Sequence, residues 1–543
     1  MKTLPLKLLT EPFLQFPTQT SIKVVWFTEF MGDGHAVAYG SNLLESVFTK
    51  NIRPIHLRED QQSRVENQTA DGQVYHKPVL REIWRHEANL TNLTPGKRIS
   101  YRVTSITENS ELISTKTYTL EPAPLPGKPL KILLTSDHQI KPMVAANLQK
   151  VRETFKRIDA VFFAGDLVNI PDRASEWFDD NRGNAFFPCL QGRANYVMEY
   201  DGIQTTYTGG QIIQNAPIFP CIGNHEVMGR FNTGKSLNEE FNDTIPRNIA
   251  EEEDNSFNTN TFEKIFSLPQ TETGEKGYYA VTFGDVRLVV LYITNMWRYP
   301  TTENSHKGKY AEPEKELKNP ENWGYGQHIY EPIYEGSTQY NWLVNELNST
   351  EFQQAKYKVV MFHHPPHTLG DNIVPAYTDP VQIIERDNNG NVTSVRYEYP
   401  KEQDYINRDV IPLLETAGVQ LVFYGHSHLW NRFVSPNGMH FLETSNVGNS
   451  YGAAWGDRKR NNVPNSGDDN YVEIGDPYGL EPIVPTIAPL LDENGQPLPY
   501  ISSNEITVFS IFDTEQGTIS SYRFDTSKPN SEVVKFDEFR LKS

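Results

Sequence analysis

Five short stretches of this chain carry residue types that hold divalent cations or move protons: Ser136-Asp137-His138-Gln139, Gly165-Asp166, Gly223-Asn224-His225-Glu226, His363-His364-Pro365-Pro366-His367 and Gly425-His426-Ser427-His428. Holding two cations a few ångströms apart takes hard carboxylate oxygens, one of them shared, together with imidazole nitrogens, and must leave room for water and substrate. Asp137, Asp166, Asn224, His363, His426 and His428 supply that set. The His-x-His pair lets two imidazoles leave one turn toward two adjacent ions. Gly-Asp is also an ordinary turn, and any one of these histidines alone reads as a surface or core residue. The ordered combination selects the metal-site reading.

Each stretch follows an apolar run that reads as a strand. Residues 131–135 form the first, and Val144, Leu148, Val151, Phe155 and Ile158 then lie on one helical face before the buried run that starts at Val161 and stops at Gly165-Asp166. Strand, helix, strand at this spacing predicts a right-handed parallel unit, with Asp137 and Asp166 at one edge of neighbouring strands, where open α/β sheets place their chemistry. Further strands are expected at residues 216–222, 357–362 and 419–424. A hairpin about Gly284-Asp285 joins 278–283 to 286–293, and helices are expected near 339–347 and 406–417. The polar insertions at roughly 170–215, 227–262, 295–335 and 368–404 show no internal period and are expected to be functional or mobile loops. Trp297, Tyr299, Trp323 and Tyr325 in the third of them read as loop pins rather than a pocket wall.

Upstream, short alternating runs such as 22–28, 36–39 and 99–103, separated by turn signals, indicate a small antiparallel β-sandwich. The segment Glu121-Pro122-Ala123-Pro124-Leu125-Pro126-Gly127 is a proline-rich joint. The expected organisation is a sandwich at 15–120, a linker at 121–129, a catalytic domain at 130–460, and a C-terminal extension at 461–543 that closes on the catalytic domain with a β-hairpin turned at Glu515-Gln516-Gly517.

A chain of 543 residues calls for two or three domains. Its formal net charge of -19 argues against a nucleic-acid surface or an anionic membrane as partner. An anionic substrate would therefore need a local cationic field. Cys189 and Cys221 read as two buried thiols. The first seventeen residues are broken by Pro5, Glu11 and Pro12, which does not make a secretory segment, and no run has the roughly 18 apolar residues of a membrane span. A cytoplasmic location is the resulting expectation.

The ordered set Asp137, Gly165-Asp166, Gly223-Asn224-His225-Glu226, His363-x-Pro and Gly425-His426-Ser427-His428 resembles the calcineurin-like metallophosphoesterase superfamily over about residues 130–448. Val25-Trp26-Phe27-Thr28, Leu93-Thr94-Pro95-Gly96 and Tyr101-Arg102-Val103 resemble the fibronectin-III-like domain that precedes the catalytic domain of purple acid phosphatases. The resemblance implies an all-β sandwich followed by an αββα layered sandwich, and a phosphoesterase that uses two metal ions (Fe, Mn or Zn) and a metal-activated water on small-molecule phosphate esters. It implies that Asp166 bridges the metals, that Asp137 and His428 complete one site and Asn224, His363 and His426 the other, and that His225 contacts the phosphoryl group or protonates the leaving alkoxide. His364 and His367 are candidates for outer contacts.

Two departures from the superfamily stand out. Gln139 occupies the position where it often has a histidine ligand, so an amide oxygen or a water must serve there, with His138 turned to the other side. The tyrosinate that colours purple acid phosphatases falls at Asn169, which forms no phenolate, so a relative that is not purple is expected. A nucleotide- or phospholipid-directed phosphodiesterase is the rival within enzymes. A metal-poor pseudoenzyme acting as a binding module, supported by Gln139 alone, is the rival outside them.

Overall fold

The computed structural model describes residues 7–542 except 50, 67, 70–71, 243–256, 271–276, 298–309, 324–326, 330, 374–375, 462 and 464–469. Residues 13–120 build two antiparallel sheets. One runs Phe13–Gln15, Ile22–Thr28, Ile83–Leu90, Asn51–Ile55, and the other centres on Ile99–Ile106 and Gly34–Tyr39. Ile22–Thr28 is apolar almost throughout because both its faces are covered. Val24 and Trp26 pack with Val37, Tyr101 and Val103 inside the sandwich, while Val25 and Phe27 join the main core of the rest of the chain. The Trp26 indole donates to Ser105 Oγ at 3.0 Å, which satisfies its one buried polar atom.

Beyond the proline-rich joint come β1 (Lys131–Thr135), α1 (Val144–Thr154), β2 (Ala160–Phe163), β3 (Ile218–Pro220), β4 (Tyr279–Phe283), β5 (Val286–Val290) and α2 (Thr338–Leu347). These are followed by β6 (Tyr357–Met361), α3 (Ile411–Thr416), β7 (Leu421–Tyr424), β8 (Trp430–Val434), β9 (His440–Thr444), β10 (Tyr500–Ile501), β11 (Ile506–Asp513), β12 (Thr518–Asp525) and β13 (Val534–Arg540). One mixed sheet has the order β3-β2-β1-β11-β12-β13 and the other β4-β5-β6-β7-β9-β8-β10. In the second sheet, side chains alternate strictly between two cores. Leu288, Val359, Met361, Leu421 and Phe423 face the space between the sheets, while Val289, Val360, Val422 and Tyr424 face the layer holding Leu343 and Leu347 of α2 and Leu414 of α3. On the other side α1 covers the first sheet with Val144, Leu148 and Val151. The layers are therefore helix, sheet, sheet, helix, preceded by the all-β sandwich.

Strands β1, β2 and β3 are mutually parallel, as are β5, β6, β7 and β9. Asp137, Asp166, Asn224, His363 and His426 all follow the C-terminal ends of such strands, so the topology brings them to one rim. The C-terminal hairpin completes the first sheet from within, because β11 pairs antiparallel with β1 from Lys131↔Asp513 to Leu134↔Ser510.

Two expectations differ in the structure. The insertion at 170–215 is a packed unit, with short helices at Ala174–Phe178 and Phe186–Leu190 and a hairpin of Tyr196–Tyr200 with Ile203–Tyr207. Its Trp177, Phe178, Phe186 and Phe187 stack on one another, and Phe187 meets Phe13 and Phe27 of the sandwich, so apolar burial rather than periodicity orders it. The helix expected at 406–417 opens with a wide π-type turn, Ile406–Val410, before α3. In the third insertion, Trp323 Nε1 donates to the Glu316 carbonyl at 2.8 Å, a loop pin, while Tyr299 and Tyr325 lie outside the described residues. Cys189 and Cys221 are separate buried thiols. No helix among the described residues is long and apolar enough to cross a membrane.

Candidate metal centre

The backbone itself marks this rim. Asp137, Asp166, His426 and His428 have φ of 57°, 58°, 83° and 57°, the left-handed region that costs an L-residue roughly 1–2 kcal/mol. Cross-links between turns hold them there. The Asp137 N–H donates to the Gly165 carbonyl at 3.0 Å and the Gly425 N–H to the His363 carbonyl at 3.1 Å. The His225 N–H donates to Asp166 Oδ1 and the His426 N–H to Asp137 Oδ2, both at 2.9 Å. Glycine is required where these turns meet, since a Cβ at Gly223 would strike Asp166 Oδ1 and one at Gly425 would strike Asp137 Oδ2 and Ser136 Oγ.

Around Asp166 the side chains form two halves. On one side Asn224 Oδ1 lies 3.1 Å and His426 Nδ1 3.3 Å from His363 Nε2, which is itself 3.2 Å from Asp166 Oδ2. His363 Nδ1 donates to the Ala164 carbonyl at 2.8 Å, so Nε2 is the nitrogen turned into the cluster. On the other side His428 Nε2 stands 3.4 Å from Asp137 Oδ1, its Nδ1 donating to the Asn449 carbonyl at 2.9 Å. Gln139 reaches this half and donates from Nε2 to Asp166 Oδ2 at 2.8 Å. The structure thus brings the other six sequence-predicted ligand positions, and His225 with them, to the rim that holds Asp166.

Electrostatics at the rim favour bound positive charge. Burial would raise Asp166, but the His363 and His225 fields hold its carboxyl well below the usual range. Burial pulls His363 down, yet Asp166 and Asp137 together lift it to about 9. Asp137 Oδ1 is buried and accepts no hydrogen bond among the described residues. A solvent-shielded carboxylate oxygen facing an imidazole nitrogen and beside a second carboxylate fits a bound cation. Asp137, Asp166 and His363 present ligand atoms all within 4.8 Å of one another, as do His363, His364 and His426. His364, read from sequence only as an outer contact, is therefore within ligand range of the second half.

Other residues sort differently. His138 turns into the core, 3.0 Å from Thr135 Oγ1 and edge-on to Phe163. His367 leaves the centre altogether, with Nδ1 on Asp476 Oδ2 at 2.9 Å, tying its loop to the C-terminal segment. His225 Nδ1 donates to the Asn169 carbonyl at 2.7 Å and its ring stacks on Phe241, which directs Nε2 away from that carbonyl. Sequence reasoning missed two carboxylates. Glu226 accepts the N–H groups of Asp166, Leu167 and Gly223 at 2.8, 2.7 and 2.7 Å. Glu443, on β9, accepts the Ser427 N–H at 2.7 Å between His426 and His428. Glu226 stands inside a quoted motif and Glu443 directly follows the apolar pair Phe441-Leu442, the one sequence signal either offered.

A family model described as calcineurin-like phosphoesterase matches residues 130–429, more than half of the chain. The chain belongs to this family. Among solved structures, this phosphoesterase is similar to purple acid phosphatase PPD1 from yellow lupin (Lupinus luteus) seeds. The TM-score is 0.53 at 15% identity, over 97% of this chain and 73% of that one, a likeness of fold. It also aligns with PhoD at a TM-score of 0.42 and 11% identity, over 100% of this chain and 94% of that one. Comparison with curated proteins gives no match.

Proposed function

We propose that this calcineurin-like phosphoesterase is a binuclear-metal-dependent hydrolase of phosphate esters. The observation that carries this reading is the convergence of Asp137, Gln139 and His428 on one side of Asp166 and of Asn224, His363 and His426 on the other. Two ions of Fe, Mn or Zn bound there would lower the pKa of water and neutralise charge building on the phosphoryl oxygens. Asp166, which faces both Gln139 and His363, would be the ligand held in common. The turns held by Glu226 and Glu443 keep the ligands preorganised, so little reorganisation is needed during reaction. His225, anchored through Nδ1, presents Nε2 to the leaving-group oxygen and delivers its proton. With asparagine at position 169, the tyrosinate that colours purple acid phosphatases is missing there, and the iron-loaded protein is not purple. The N-terminal sandwich is read as fibronectin-III-like, with domains at 15–120 and 130–460, a linker at 121–129 and the extension at 461–543.

The test is a hydrolysis screen over phosphate mono- and diesters after reconstitution with iron, manganese or zinc, with metal counted by elemental analysis. About two ions per chain, turnover on at least one ester, and loss of both in Asp166→Asn are expected. One ion or fewer with no turnover would replace this reading by the binding module.

A further inference from the structure

His225, read above as the proton donor, is supported from two sides. Its Nδ1 donates to the Asn169 carbonyl at 2.7 Å, and its ring stacks on Phe241 with the centroids 5.1 Å apart. Phe241 ends the short helix Leu237–Phe241, and Asn169 begins the stretch that leads through Ile170 to Asp172. Both segments meet at one side chain of the N-terminal all-β region, Arg58 on the short strand Arg58–Glu59.

Arg58 Nη1 donates to Glu240 Oε1 at 2.9 Å and Nη2 donates to Glu240 Oε2, a two-pronged grip on the residue before Phe241. Nη2 also donates to Asp172 Oδ2 at 2.7 Å, and the Arg58 N–H donates to the Asp172 carbonyl at 2.8 Å. Arg58 and Glu240 are both buried, so salt screens this grip little. Asp60, two residues on, takes the other end of the helix, with Oδ2 accepting the Leu237 N–H at 2.8 Å. A Cβ at Gly229 would strike the Glu240 carbonyl, so the helix is also packed against the chain that follows His225. An ion pair that only joined the all-β region to the rest of the chain could sit anywhere along their seam. This one closes on the two segments that support His225.

We propose that Arg58 is a positioning residue for proton transfer: by holding Glu240 and Asp172 it fixes Phe241 and the Asn169 carbonyl, and through them the direction of His225 Nε2. The inference rests on the phosphoesterase reading above and on the role given there to His225. Loosening the grip leaves the candidate ligands in place and turns His225 away from the leaving-group oxygen, so rate is lost where that oxygen needs a proton. The N-terminal all-β region thereby takes part in the chemistry without touching the reacting atoms.

The experiment uses the full-length, manganese-loaded protein with Arg58→Lys, Phe241→Leu, His225→Ala and the double variant Arg58→Lys/His225→Ala. It measures metal content and kcat/KM on methyl and p-nitrophenyl esters of phosphate, as monoesters and as diesters. Arg58→Lys keeps the charge and loses the fork. It should lower kcat/KM on the methyl ester by about 10–100-fold and on the p-nitrophenyl ester by less than about threefold, with metal content unchanged. In the His225→Ala background it should cost nothing further on either ester, because residues that act through one another are not additive. Equal loss on both esters, no loss on either, loss of metal, or losses that multiply in the double variant would each overturn the assignment. Should Arg58→Lys fail to fold, Phe241→Leu decides from the other end of the same path: it must show the methyl-selective loss, and equal loss on both esters overturns the assignment. His225→Ala without a methyl-selective loss would remove the role of His225 and this assignment with it. Wild type that cleaves none of the esters would instead remove the phosphoesterase reading itself.

Discussion

Glu226 holds Asp166 by its backbone: Oε2 accepts the Asp166 N–H at 2.8 Å while Oε1 accepts the Leu167 N–H at 2.7 Å. One carboxylate thus fixes the left-handed turn that aims another. Burial, and then repulsion from Asp166, push Glu226 up to about 8, and the N–H groups work against that rise.

Glu226→Gln turns an amide NH₂ toward N–H groups that need an acceptor. A loss of about 1–3 kcal/mol in stability is expected from one unsatisfied buried donor. Metal affinity should fall by roughly 10–100-fold as the Asp166 turn loosens. Thermal unfolding and metal titration check both.

Glu443 plays the same part for the histidine pair. It accepts the Ser427 N–H at 2.7 Å, the Thr368 hydroxyl at 3.0 Å and the Asn431 amide at 3.2 Å. Glu443→Ala should release His426 and His428 together and lower metal occupancy, whereas Glu415→Ala, a half-buried position of α3 whose carboxylate accepts from the Asn437 amide, should leave occupancy unchanged. Elemental analysis after dialysis reads the difference.

His225→Ala should keep both metals and lose rate, by about 10²–10⁴-fold if it delivers the leaving-group proton. The loss should shrink on esters whose leaving alcohol is already acidic, because such a group needs no proton. A comparison of alkyl and nitrophenyl esters tests this. Metal loss in the variant would show a ligand instead.

Acid should weaken the N-terminal sandwich. Burial, with the His35 and Arg85 charges, pulls His86 down to about 2, and its ring stacks on Trp26. Between that value and 6.5 the unfolded chain binds a proton that the folded chain refuses, so stability falls as pH drops through 6.5. By pH 5 the cost is about 2 kcal/mol. Thr28 Oγ1, 2.7 Å from His86 Nε2, must keep its partner in any substitution, so His86→Gln is the variant of choice. It should flatten the dependence of Trp26 fluorescence melts on pH between 7 and 5.

Asp137, Asp166, Asn224, His363, His426 and His428 were legible in the sequence because each ends an apolar run, and strand periodicity is local along the chain. The parallel unit from β1 to β2 followed from the same local signal, as did the sandwich from its turn spacing. What only the tertiary structure decided involves partners far apart in sequence: Glu443 on Ser427, His367 on Asp476, Phe187 on Phe27, and Arg58 on Glu240. A side chain's polar partner is set by which layers pack together, and hydrophobic patterning records that a face is buried but not what it is buried against. Thus the candidate ligand set could be read from local order, while the carboxylates that aim it required the packed sheets.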